Sequence, residues 1–375
     1  MNILIFSWRG PKHPNAGGAE ISTFEHAKRW VKAGHKVILF TSFYKGAKKE
    51  ETIDGVNIIR QGNQVFGVQI EAFKWYFFRK HPKFDLVVDQ FHGIPFFTPL
   101  YIKTKKLGFI HEATKEVWKL NPWPKPFNLI PSTLGIILEP LIFKLFYKQT
   151  PFMTVSESTK KDLINWGISE SQISVINNGL NAPKLVGFPK KEFKKTLIFL
   201  GALSKDKGVE EVLKTFALIY KKEKNWQFWV VGKSDSRYLK KLKLQGKVLG
   251  IERKIKFWGF VSEQKKFELL SKAYISINPS IREGWGLVVI EAASMGLPTV
   301  GFDVPGLRDS IRDEITGIIC SENTTDNLAE NILKLIEDKK KYKRLSKNAI
   351  SWSKKFSWDN SAKKSLNLLK EVIGK

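Results

Sequence analysis

One cysteine and three methionines occur in 375 residues. The lone Cys320 cannot close an intramolecular disulfide, which suits a reducing compartment, and its expected role is that of a small buried hydrophobe. Acidic residues are scarce as well: 36 stand against 63 Lys and Arg, leaving a formal charge of +27. Such an excess draws anions, whether nucleic acid, lipid headgroups or phosphorylated substrates, without choosing among them; a Lys-rich solvated surface gives the same balance. No uninterrupted apolar run of about 18 residues is present, so a membrane-spanning helix is not expected. Met1–Phe6 is apolar but too short for a signal sequence, with no basic segment before it and no small-residue cleavage site after it. It reads as a first strand, and the chain as cytoplasmic, soluble or peripheral on the inner face of the membrane. Repeats with a period of about 20 to 50 residues are missing too.

What the sequence does have is core material: 42% hydrophobic residues, with 27 Phe and 12 Trp. The length exceeds what one hydrophobic core usually serves, so two domains are the default. Short apolar runs alternate with helical patterns throughout, which predicts an α/β protein with doubly wound parallel sheets. Expected strands are Asn2–Phe6, Lys36–Thr41, Val56–Ile59, Asp85–Asp89, Lys106–Ile110, Phe152–Val155 and Ile173–Ile176. Helices are expected at Gly18–Ala33, Val65–Arg79, Thr133–Lys148 and Ser156–Trp166. Around Asn181–Lys195 the pattern dissolves into Pro, Gly and Lys, as in a linker. Alternation then restarts with strands at Leu197–Leu200, Gln227–Val231, Ile255–Trp258, Ile275–Asn278, Thr299–Phe302 and Gly317–Cys320. The expected division is 1–183, 184–355 and a terminal helix in 356–375 that must dock on something, the first domain being a candidate.

The segment Pro279–Glu291 (PSIREGWGLVVIE) follows a strand and runs through a Gly-containing turn into an apolar helix. Strand, turn and helix in that order aim backbone N–H groups and a positive dipole end at an anion, for which a diphosphate is a fit. Glu283 is expected before the helix and Glu291 about two turns into it, on the order of 12 Å apart. Two carboxylates at that distance cannot act on one bond. They can hold opposite ends of an extended ligand with its phosphates between them, and a nucleotide sugar has that shape. The alternative is that both are surface residues of an ordinary helix.

The Glu-x7-Glu pair inside PSIREGWGLVVIEAASMGLP resembles the donor-site motif of the GT-B glycosyltransferases, family 4 in particular. Along the rest of the chain, NAGGAE (Asn15–Glu20), VSES (Val155–Ser158), INNG (Ile176–Gly179) and FLGALSKDKG (Phe199–Gly208) resemble further stretches of that family, in order and spacing. The resemblance implies two Rossmann-like domains facing across a cleft, acceptor domain first and nucleotide-sugar domain second. It implies that Gly17 and Gly18 let backbone approach the donor phosphate and acceptor, and that Asn178 lies near the phosphate or the hinge. Gly201 belongs to the phosphate loop, Lys207, with Lys205 nearby, is the phosphate cation, and His111 contacts the transferred sugar near the reacting carbon. Glu283 would hold hexose hydroxyls, Gly284, Trp285, Gly286 and Leu287 would offer amides to the diphosphate, and Glu291 would take the ribose. Plain turns at Gly17–Gly18 and Asn178–Gly179, solvated lysines and a structural His are the competing views. Ala202 stands where the family commonly has Arg, so one of two usual phosphate cations is absent.

By the same resemblance the enzyme is a retaining hexosyltransferase using a donor such as a UDP- or GDP-sugar, with no cofactor and no metal; no Asp-x-Asp or His/Cys cluster is placed like a metal site. The stretch 118–147, rich in Trp, Phe, Leu, Ile and Lys, suits either a core helix or an interface meeting a lipid-linked acceptor and an anionic membrane surface. A GT-B nucleotide-sugar epimerase would share the fold. A basic nucleic-acid binder is the rival from another class, but no nucleic-acid module accompanies the dispersed charge, and none is expected as partner.

Overall fold

Runs such as Asn2–Ser7 (NILIFS) and Leu86–Phe91 (LVVDQF) are buried along almost their whole length, a condition met when helices cover both faces of a parallel sheet. A computed structural model describes residues 1–64, 67–91, 93–120, 126–183, 191–192 and 194–374. It divides into two compact units, Met1–Gly179 with Ser357–Lys375, and Leu180–Phe356. The boundary placed at 183/184, the first residues of the helix expected at 65–79, and parts of the linker and of the 118–147 stretch lie outside the described residues.

The first unit holds β1 (Asn2–Ser7), β2 (Lys36–Thr41), β3 (Glu50–Ile53), β4 (Val56–Arg60), β5 (Leu86–Phe91), β6 (Lys106–Ile110), β7 (Phe152–Thr154) and β8 (Ile173–Val175). They form one sheet in the order β3-β4-β2-β1-β5-β6-β7-β8. All pairs are parallel except β3 with β4. That antiparallel edge strand escapes a search for apolar runs because it reads Glu-Glu-Thr-Ile and is half exposed. Its turn, Asp54-Gly55 with both φ positive, is the hairpin signal that would have found it. The helices are α1 (Gly18–Lys32), α2 (Gly67–Phe78), α3 (Thr98–Tyr101), α4 (Leu129–Phe146) and α5 (Glu157–Asn165).

Helix α4 corrects one expectation. Its 18 residues average a hydropathy of 1.7, long and apolar enough to cross a membrane by length and composition. Glu139 and Lys144 interrupt the run, which hides it from a search for unbroken stretches, but they do not lower the average enough to exclude it.

The second unit holds β9 (Lys195–Leu200), β10 (Trp226–Val231), β11 (Ile255–Gly259), β12 (Ile275–Asn278), β13 (Thr299–Gly301) and β14 (Gly317–Ile319). Its sheet is parallel throughout, in the order β11-β10-β9-β12-β13-β14. Around it lie α6 (Val209–Lys222), α7 (Ser236–Val248), α8 (Glu263–Lys272), α9 (Leu287–Ser294), α10 (Leu307–Ser310), α11 (Thr325–Glu337) and α12 (Lys339–Ser353). Helix α6 shows why: Val209, Val212, Leu213, Phe216 and Ile219 make one buried stripe at helical spacing, packed with Leu197 and Phe228 of the sheet.

The last helix, α13 (Trp358–Gly374), returns to the first unit and packs on α1. Ser365 Oγ lies 3.0 Å from Trp30 Nε1, which donates to it, and 2.9 Å from His26 Nδ1. Ser361 Oγ donates to the Asn177 carbonyl at 2.6 Å. A Cβ on Gly179 would fall well inside contact distance of the Trp358 backbone, so this glycine is where the end of the first unit's main segment meets the returning helix.

Candidate functional site

In the second unit the chain leaves β9 toward β10 on one side and later enters β12 on the other. The order of connections reverses between β9 and β12, and open α/β sheets bind ligands at such a switch point, beyond the carboxyl ends of the strands. Three loops converge there. The first, Gly201–Gly208, ends in a short turn at Lys205–Lys207 and a left-handed Gly208 (φ 66°) that starts α6. A Cβ on Gly208 would strike the Pro279 carbonyl. The Ile281 N–H donates to the Asp206 carbonyl at 2.8 Å, and the Glu283 N–H to the Pro305 carbonyl at 3.2 Å. The loops after β9, β12 and β13 are thereby stitched backbone to backbone.

On that frame Lys207 Nζ lies 2.9 Å from Glu283 Oε1, which also accepts from Ser280 Oγ at 2.7 Å. The two side chains with different expected roles, cation and carboxylate, are direct partners. Lys205 is exposed on the same turn and Ala202 is exposed beside it. Gly284 and the buried Trp285 lead to Gly286, whose φ of 79° caps α9 at Leu287. The first amides of a helix have no carbonyl a turn earlier to bond, and here they are those of Leu287 and Val288, since the Val289 N–H already donates to the Gly286 carbonyl at 2.9 Å.

Glu291 lies four residues past Leu287, just over one turn into α9 rather than two, because Gly284–Gly286 is turn and not helix. Its carboxylate pairs with Lys266 Nζ of α8 at 2.7 Å. Burial pushes its carboxyl pKa up, against the opposing pull of that lysine. Burial works against the Lys266 charge too, but the carboxylates of Glu291 and Glu263 outweigh it and raise its pKa. Lys266 and Ser280 are site residues that the sequence reading missed. A lysine among lysines carries no signal, and only the tertiary packing of α8 on α9 sets Lys266 against Glu291.

In the first unit β1 lies between β2 and β5 at the corresponding reversal. Gly17 caps α1 with extended backbone and donates its N–H to Glu20 Oε2 at 2.6 Å. Among the described residues beyond its chain neighbours, a Cβ there would meet nothing closer than that carboxylate, at 3.7 Å. Gly18 is the first residue of α1. Glu20, also missed, is buried and accepts from Arg9 Nε at 2.9 Å. One turn on, Ser22 Oγ donates to the buried Asn178 Oδ1 at 2.6 Å, and Thr23 Oγ1 is 3.5 Å from His111 Nε2. His111 follows β6 directly and is buried, its ring 4.2 Å from that of Phe109. The structure thus brings the Gly-Gly turn, His111 and Asn178 onto one helix end. The site residues fall into two constellations, one in each unit.

Residues 185–352 match the family described as Glycosyl transferases group 1, and residues 16–183 that described as Glycosyltransferase Family 4. The chain belongs to glycosyltransferase family 4. It is similar to an uncharacterized glycosyltransferase of Methanocaldococcus jannaschii, 29% identical over the whole of both chains. Sucrose-phosphate synthase of Thermosynechococcus elongatus shares the fold at a TM-score of 0.81, 18% identical over 100% of this chain and 99% of that one. HepE of Anabaena, solved in complex with UDP-glucose, does so at 0.75, 18% identical over 99% and 100%. The two Rossmann-like units are those of a GT-B glycosyltransferase.

Within this family 4 chain the third loop bears on Glu283 most directly. Gly306 has a φ of 79°, and a Cβ on it would strike the Glu283 carbonyl. Backbone cannot swing aside as a side chain does, so Gly306→Ala is expected to combine left-handed strain with displacement of Glu283. The expected result is a loss of about 2 to 3 kcal/mol in urea unfolding. A variant as stable as the parent would show that the loops are not stitched as described.

Proposed function

We propose that this glycosyltransferase moves a hexose-type sugar from a nucleoside-diphosphate donor, such as a UDP- or GDP-sugar, to an acceptor hydroxyl, with retention and without a metal. The observation that carries it is the Lys207–Glu283 pair held over the start of α9 by three stitched loops. A fold neighbour solved with UDP-glucose supports the donor class. In this proposal the diphosphate lies at the first amides of α9 and draws Lys207 toward itself, which releases the Glu283 carboxylate to accept hexose hydroxyls. Glu291 receives the ribose hydroxyls. As the bond between the anomeric carbon and the phosphate oxygen breaks, charge gathers on the diphosphate, where Lys207 and the helix end stabilise it. The acceptor oxygen bonds to the same face of the anomeric carbon and its proton passes to the departing phosphate. His111 and Gly17–Gly18 serve the sugar and acceptor side. In this proposal the Lys207 side chain and the end of α9 take the task that a metal would otherwise have. The apolar segment around α4 supports a lipid-linked or envelope-glycan acceptor.

A panel of nucleotide sugars tested for thermal stabilisation decides the donor class. A true donor at one hundred times its Kd is expected to stabilise the protein by about 2.7 kcal/mol, equally in EDTA, and to yield product of unchanged anomeric configuration. Absence of any shift across the panel, or a shift abolished by EDTA, would overturn the proposal.

A further inference from the structure

Helix α4 buries Ser132, Glu139 and Phe143 and leaves its leucines exposed, an apolar outer surface that a helix built to face water does not have. Its inward residues include Ser132, whose Oγ donates to the Trp118 carbonyl at 3.1 Å. Glu139 accepts from the Thr114 and Lys115 N–H groups at 2.8 and 3.0 Å, and from Trp118 Nε1 at 3.1 Å. Its outward residues Leu129, Leu134, Ile137 and Leu145 are 61%, 50%, 53% and 68% exposed. The apolar surface does not stop at α4. Phe146 meets Phe97, and beyond it Tyr101 of α3 meets Phe73 and Phe77 of α2, where Phe78 is 78% exposed. Exposed apolar surface this continuous marks an interaction site.

The charges choose the occupant. Lys144 and Lys148 are exposed at the C-terminal end of α4, Lys119 in the turn Lys115–Leu120 that packs on it, and Arg79 and Lys103 beside α2 and α3, on a chain of net charge +27. A second copy would set these cations against their own kind. An anionic lipid surface complements them while its acyl region takes the apolar side chains. The inward hydrogen bonds of Ser132 and Glu139, and the close packing of Gly135 on Trp118, tie α4 to the rest of the first unit. We propose that α4, α3 and α2 form a docking face for an anionic bilayer, with α4 lying in the membrane plane instead of crossing it.

The test is flotation of the full chain with vesicles of phosphatidylcholine containing about one-third phosphatidylglycerol. Binding is expected to fall at least about tenfold in the Leu134→Glu/Ile137→Glu/Leu141→Glu variant, whose sites are exposed and whose melting should match the parent. It should fall several-fold on pure phosphatidylcholine or in Lys144→Glu/Lys148→Glu, and alkaline carbonate should release the bound protein. Three results would overturn the inference: no flotation with anionic vesicles, undiminished flotation of the triple variant, or a lipid-free dimer that the triple variant splits into monomers. Retention through carbonate would overturn the in-plane orientation. The docking face does not depend on the donor chemistry. Flotation without nucleotide-sugar stabilisation would strike the proposed function alone, and the converse the docking face alone.

Discussion

Replacing Glu283 with Gln is expected to lower sugar transfer on the order of 10³-fold while leaving the melting temperature close to that of the parent. Hydrogen bonds to a charged group contribute about 1.5 to 3 kcal/mol each, and a carboxylate taking two hexose hydroxyls would supply about 4 kcal/mol, which is that factor in rate. The fold should survive because the segment is held by backbone bonds, Glu283 N–H to Pro305 and Ile281 N–H to Asp206, and not by the carboxylate. Lys207→Ala is expected to fall in the same range. The double variant should lose less than the sum, since Lys207 Nζ and Glu283 Oε1 are 2.9 Å apart and each single change also removes the other's nearest opposite charge. The loss should persist at saturating donor, as befits groups whose contacts strengthen in the transition state. Full activity of both single variants, at saturating and subsaturating donor alike, would sink the assignment.

The second large effect is expected in acid. His26 is wholly buried between α1 and α13, with Ser365 Oγ 2.9 Å from its Nδ1. Burial, helped by the Arg29 charge, pushes its pKa down from 6.5 to about 3. The unfolded chain therefore binds a proton below pH 6.5 that the folded chain refuses. The stability this histidine confers is fully present above pH 6.5 and is lost as the pH falls from there toward 3. At about 1.4 kcal/mol per pH unit the interval corresponds to about 4 to 5 kcal/mol at most. Urea unfolding measured between pH 7.5 and 4 (about the accessible range) should fall more steeply for the parent than for His26→Gln, and amides of α13 should lose protection first. Parallel curves for the two proteins would remove His26 as the cause.

How legible the site was depends on whether a residue works through local backbone or through a distant partner. The turn from β12 into α9 was legible because Gly284, Gly286 and the apolar run after them are contiguous, and short-range geometry sets where the amides point. The one-turn error in placing Glu291 is of the same local origin: a sequence pattern does not say which of Gly284, Trp285 and Gly286 begins the helix. The strand after the Asn181–Lys195 linker, the edge strand β3 and the length of α4 show the same division. Apolar strands at the sheet centre were found to within a residue or two, whereas the charged edge strand β3 was missed and α4, expected from Thr133, begins at Leu129, because hydrophobic pattern reports burial and not pairing.

The two α/β units, the strands that carry their loops to the site, and the family are all legible along the chain, since each follows from periodicity or from residues close in sequence. Only packing decided that Lys207 pairs with Glu283, that Lys266 answers Glu291, that Ser22 and Thr23 set Asn178 and His111 on one helix, and that α4 buries Ser132, Glu139 and Phe143 while leaving its leucines exposed. These pairs come from different elements, 25 residues apart for Lys266 and Glu291 and 156 for Ser22 and Asn178. A charge or hydroxyl acquires its partner only when sheets and helices have packed, and nothing in its own neighbourhood along the chain records which partner that will be.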